Sequence, residues 1–183
     1  MSQLDTATNG ALVWPPNMFY MGDVSRVANE LRFRSGQHLP IYSIHRIVEI
    51  CFPGIVITGR SLPSGVNAIV AKAEDGSAVV YRRGISSADQ RFAIATGLAH
   101  LCFADAPDSH RDRNFSNEAR AEQFAAELLV PADEIRPLIE ILPSHTDEDE
   151  TYLDQVDKIA STFHVPAWVI DKRIRDLERY VMS

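Results

Sequence analysis

The side chains best suited to chemistry lie in the second half of the chain. They are His100, Glu118 and Glu122, with Cys102 and His110 close to them in sequence. His100 falls in the run Asp89 to Phe103, where Phe92, Ile94, Ala95, Leu98, Ala99, Leu101 and Cys102 leave little polar face. A helix with that pattern is buried. A histidine there is either a group in a site or a core residue satisfied by an imidazole–carboxylate hydrogen bond. Glu118 and Glu122 are four residues apart, share a helical face, and repel unless a cation or proton intervenes. Glu118 also falls in the first turn of the helix that Ser116 is expected to cap, where a carboxylate suits the helix dipole. Cys102 is two residues from His100 and projects from another side of the helix. Arg91, Arg111, Arg113 and Arg120 read as solvated charges.

These groups need elements to position them. Val24, Val27, Ala28 and Leu31 recur at helical spacing, and Ile44, Ile47, Val48 and Cys51 form one stripe of a second helix over 41–51. Gly54 to Thr58 is a short β-branched run. Asn67 to Lys72 and Ala78 to Arg82 are two more strand candidates, separated by the hairpin signal Glu74-Asp75-Gly76. Ser86-Ser87 can cap the buried helix. Ala104 to Phe115 is polar and reads as a loop, after which the Ser116-capped helix runs to about Val130 and stops at Pro131. A further helix begins near Ala132. Ser144 to Glu150 is acidic and reads as a solvated connection. Helices over 151–163 and 167–181 follow, joined by Phe163-His164-Val165-Pro166. Residues 1–20 carry Asn9-Gly10 and Pro15-Pro16 without periodicity and read as an extended or mobile arm. The arm is followed by a domain over 21–183, in which 151–183 is a C-terminal helix pair.

Two stretches carry a resemblance. One is Arg91-Phe92-Ala93-Ile94-Ala95-Thr96-Gly97-Leu98-Ala99-His100-Leu101, and the other is Glu118-Ala119-Arg120-Ala121-Glu122-Gln123-Phe124-Ala125-Ala126-Glu127-Leu128-Leu129-Val130-Pro131. The chain resembles the ImmA/IrrE family of zinc metallopeptidases over roughly 22–183. In that family R-F-x-x-A-H-E-x-x-H-L is followed by E-x-x-A-(N/D)-x-F-A-x-x-L-L-x-P. Two histidines at i and i+4 grip zinc from one helical face, a carboxylate on the next helix is the third ligand, and the glutamate after the first histidine is the general base. On this chain the resemblance places the second histidine at His100 and the third ligand at Glu118. The first histidine falls on Thr96 and the base on Gly97. A threonine hydroxyl is a poor, neutral zinc ligand, and glycine offers no side chain, so Thr96, Gly97, His100 and Glu118 are read as vestigial positions. Gly97 also costs the helix roughly 1 kcal/mol against alanine. Either it allows close approach of another segment or it is a tolerated remnant. Restoring Thr96→His with Gly97→Glu is expected to rebuild the metal-binding face.

The resemblance implies an α+β fold: a small three-stranded, mostly antiparallel sheet packed on a zincin-like helix pair, with helices at both ends. The 183 residues, 45% hydrophobic and 23% charged, suit one such domain. A net charge of −7 gives no footprint for sequence-independent nucleic-acid binding. On the last helix, Asp171, Asp176 and Glu178 offset Lys172, Arg173, Arg175 and Arg179, which argues against a DNA-reading helix. The first twenty residues lack a basic n-region and an apolar h-region, and no stretch approaches the ~18 apolar residues of a membrane span. Two cysteines in apolar runs suit reduced thiols and a cytoplasmic location.

The expectation is a pseudopeptidase serving as a protein-binding regulatory module with no cofactor. Its implied partner is a helix-turn-helix transcription regulator in stress, phage or mobile-element regulation. Zinc enters only if replacement ligands exist, with Glu122 and His110 as the cleft candidates. An active zinc metallopeptidase using such ligands and a DNA-binding regulator stand as alternatives, and homo-oligomerisation is left open.

Overall fold

The computed structural model describes residues 24–37, 43–73, 76–103, 111–140, 142 and 150–181. The N-terminal arm, His110, the Glu74-Asp75 turn and most of the acidic connection lie outside them. Among the described residues there are seven helices and three strands: α1 (Val24–Ser35), α2 (Ile44–Cys51), β1 (Val56–Arg60), β2 (Ala68–Ala73), β3 (Gly76–Arg82), α3 (Ser87–Cys102), α4 (Arg111–Leu129), α5 (Ala132–Ile139), α6 (Glu150–Phe163) and α7 (Ala167–Val181). The architecture is α+β. No described helix is long and apolar enough to cross a membrane.

The predicted stripes are the buried ones. Val24, Val27, Ala28 and Leu31 of α1 and Ile44, Ile47, Val48 and Cys51 of α2 all enter one core with Phe124, Leu128 and Leu129 of α4. Ser43 caps α2, its hydroxyl accepting from the Arg46 N–H at 3.3 Å, and Ser86 caps α3, accepting from the Asp89 N–H at 3.0 Å.

Strand order is β1-β3-β2, with β3 central. β2 and β3 are antiparallel, as expected of a hairpin, but β1 pairs with β3 in parallel. The sheet is therefore evenly mixed, a correction to the mostly antiparallel expectation. The reason is the segment 61–67, which carries the chain past the position of β3 before β2 begins. Arg82 holds that crossover: its guanidinium donates to the carbonyls of Pro63 and Val66, and its backbone N–H donates to Asn67 O at 2.8 Å. β1 starts two residues later than expected because Gly54, with φ +89°, still belongs to the preceding turn.

A second correction concerns α4. It begins at Arg111, so Ser116 lies inside a helix and does not cap one. Polarity had suggested a loop over 104–115. From Arg111 to Val130, however, there is no Gly or Pro to stop helix propagation.

The C-terminal pair α6–α7 is joined by a tight turn. His164, at φ +53°, is left-handed, its N–H donating to Ser161 O at 3.3 Å while the Val165 N–H donates to Ala160 O at 3.0 Å. These are the two bonds of a Schellman termination, here built on histidine where glycine is usual. α7 then packs back on α6 and α5.

Candidate functional site

The site forms where α3 lies alongside α4, with β2 and β3 against another side of α3. His100, in the last turn of α3, places Nε2 3.3 Å from Glu118 Oε2; the side chains are 23% and 58% exposed. These two groups, paired in the sequence reading, meet in the structure. Because α4 starts at Arg111, Glu118 stands well inside the helix. It is not a first-turn carboxylate placed for the dipole, whose influence fades beyond the first turn.

Thr96 is one turn before His100 on the same helix. It is 7% exposed, and its hydroxyl donates to the Phe92 carbonyl at 3.0 Å. That bond satisfies the buried hydroxyl within its own helix. At Gly97, a Cβ would lie 2.4 Å from Val79 Cγ1 and 3.2 Å from Val79 Cγ2. Of the two readings of this glycine, close approach is the one found: α3 presses on the centre of the sheet here.

Glu122 turns away from the pair. Its Oε2 lies 2.5 Å from Lys172 Nζ, tying α4 to α7. Cys102 is 2% exposed, and burial, aided by nearby Cys51, pushes its thiol up to about 12. A thiol in that state is a poor source of the thiolate a metal needs. Arg120, read as solvated, instead sits over Phe103, its Cζ 4.2 Å from the ring centroid, and Phe103 packs edge-on to Phe124 at 5.5 Å. Arg91 is likewise drawn inward, and burial lowers its pKa from the usual arginine value.

The fit to zinc can be tested on these donors. In a tetrahedral site with bonds of about 2.0 Å, neighbouring ligand atoms are roughly 3.3 Å apart. The Nε2–Oε2 separation of 3.3 Å suits two corners of such a site. The third corner fails. Thr96 is neutral and committed to Phe92 O, and among the described residues no His, Cys, Asp or Glu joins His100 and Glu118 to make a group of three. Among the described residues the donors do not make up a three-ligand zinc centre, and the glycine at position 97 has no side chain to act as base.

Two features escaped the sequence reading. Val79 gave no signal beyond strand alternation. The second is a polar clamp at the C-terminal end of α4. Glu127 and Arg173 form an ion pair with both side chains 7% exposed, Arg173 Nε donates to Val130 O at 3.1 Å, and Arg32 donates to Glu127 O at 2.8 Å. The spacing of these charges, 95 residues between Arg32 and Glu127, hid the cluster.

With helix pair, sheet and site described, the class is that of a metallopeptidase-like α+β domain. Residues 53–175 match the peptidase family model described as the IrrE N-terminal-like domain, and the chain belongs to that family. Its fold is similar to that of a solved structure described as a Mycobacterium tuberculosis transcriptional regulator, with a TM-score of 0.54 and 19% identity. That likeness covers 82% of this chain and 46% of the regulator, so the chain spans less than half the length of this neighbour. No curated protein sequence matches the chain.

Proposed function

We propose that the chain is a catalytically silent IrrE-like domain: a regulatory module that binds a protein partner through the inherited α3–α4 face and hydrolyses nothing. The observation that carries this reading is the fate of the two motif positions. The Thr96 hydroxyl is committed to Phe92 O, and the space beside Gly97 is filled by Val79. A ligand and the base are missing where the family's chemistry requires them.

The partner proposed is a transcription regulator of the helix-turn-helix type. The family resemblance supports it, as does a structural neighbour that is itself described as a transcriptional regulator. Direct DNA reading by α7 is disfavoured by the pairing of three of its cations. Arg173 is buried with Glu127, Lys172 pairs with Glu122, and Arg175 pairs with Asp171 at 2.8 Å. Such side chains are not available as a phosphate-binding stripe.

The test is metal content, by mass spectrometry on protein purified without added zinc. The expected result is well below one zinc per chain. Stoichiometric zinc, lost on Glu118→Ala, would overturn the reading and restore the metalloenzyme with replacement ligands.

A further inference from the structure

We infer that Val79 is a third determinant of the silent state: it fills the space that the first atom of any side chain at 97 must take, so reverting the two motif positions cannot by itself rebuild the site. The inference rests on the silent-domain reading and deepens it, because it separates two losses that the motif alone presents as one.

The geometry at Gly97 is the starting point. A Cβ there would stand 2.4 Å from Val79 Cγ1, 3.2 Å from Cγ2 and 3.4 Å from Cβ. Non-bonded carbons sit at about 3.5–4.0 Å, so even alanine is too large as the backbone now lies. Turning Val79 opens the space only in part. The rotamer that vacates the nearest position keeps a methyl at the 3.2 Å position and sends the other into surroundings where Val79 is 0% exposed. A β-branched side chain also has few χ1 alternatives.

Nor can Val79 move with its strand at little cost. It is on the central strand, in register with Ile57 of β1 on one side and Val70 of β2 on the other. Shifting it disturbs both pairings. The space a Cβ at position 97 would take is therefore part of the hydrophobic core.

Position 96 differs. It lies on the face that already carries His100, and its present side chain is held by one hydrogen bond within its own helix, although a histidine must find room at a site only 7% exposed. Metal binding is thus recoverable in principle by Thr96→His alone, with Gly97 kept. The base is recoverable only if Val79 shrinks as well. The inference departs from the expectation that Thr96→His with Gly97→Glu suffices, since a glutamate at 97 would enter packed core and carry its charge with it.

The experiment is a thermal double-mutant cycle on the full chain: Gly97→Ala, Val79→Ala and the two together. Helix propensity alone makes Gly97→Ala stabilising. Steric closure reverses the sign, and Tm is expected to fall by roughly 3–10 °C, as overpacking in a domain of this size does. In the Val79→Ala background the same change is expected to leave Tm unchanged or raise it. A rise in Tm for Gly97→Ala in the parent chain, or an equal fall in both backgrounds, overturns the inference. A second arm reads zinc by competition with a chromophoric chelator. Thr96→His is expected to take up about one equivalent, and Thr96→His with Gly97→Glu to need Val79→Ala before it folds and binds. If the double variant folds and binds with Val79 in place, Val79 is not a determinant. The outcomes stay distinct: zinc in the parent chain would overturn the silent-domain reading and leave the Gly97–Val79 coupling standing.

Discussion

Two carboxylates on α4 lead opposite lives. Glu118, toward the N-terminal half, is 58% exposed and meets His100 across 3.3 Å. Glu127, near the C-terminal end, is buried against Arg173, accepts from the Ala132 N–H at 3.5 Å where α5 starts, and has its carbonyl held by Arg32. Arg32 and Arg173 together take the carbonyls of Glu127, Leu128 and Val130, groups that a helix end leaves without partners. One carboxylate stands beside the motif histidine on the α3–α4 face, and the other joins α1, α4, α5 and α7. Motif position alone would rank Glu118 as the important one; burial and partners say that the fold depends on Glu127.

Substitutions put that contrast to the test. Glu127→Ala leaves the Arg173 guanidinium buried without its counter-charge, and is expected to cost about 3–5 kcal/mol in denaturant unfolding. Removing Arg173 in addition should recover part of that loss, because the stranded charge goes too. A Glu127→Ala protein as stable as the parent would erase the distinction between the two ends. Phe124→Ala, which empties a fully buried ring site between the helices, is expected to cost about 3–5 kcal/mol by the same measurement.

Glu122→Ala removes a partly exposed pair with Lys172, so less than about 1 kcal/mol is expected, and that should shrink further in high salt. At the low end, Glu118→Ala should change stability by no more than about 0.5 kcal/mol. EDTA should leave the parent's Tm where it is. A Tm drop on chelation would show that a metal supports the fold and that Glu118 is not a bystander. Finally, Cys51 and Cys102, both buried with thiols raised above their ordinary pKa, should be inert to a thiol reagent in the native state and react on unfolding.

The helices were legible where periodicity and punctuation agreed. Val24, Val27, Ala28 and Leu31 fixed α1, and Ser86 and Pro131 marked ends that the structure respects. The start of α4 was missed because its first residues are polar, and polarity alone does not break a helix. The parallel pairing of β1 was invisible because it depends on a crossover held by Arg82, a long-range contact with no local signature. At the site, the meeting of His100 with Glu118 followed from the family resemblance. The space beside Gly97 could not, since it depends on which strand residue the helix crosses. Alternation puts Val79 on one face of β3, but only the packed coordinates say that Gly97 is what it meets.

The order of strands along the sheet has a temporal side. β1 pairs with β3, and Val56 finds its register partner in Ala78, on the far side of the whole β2 segment. A chain emerging from its N-terminus carries β1 for a full hairpin's length before any of that pairing can form. β2 and β3 are close in sequence and can zip together at once, whereas β1 must wait and then close a longer loop. The strand expected to join the sheet last is thus the first of the three to be synthesised. Until it docks, its apolar residues, with Val56 59% exposed even when folded, are the part of this sheet most open to pairing with the wrong chain.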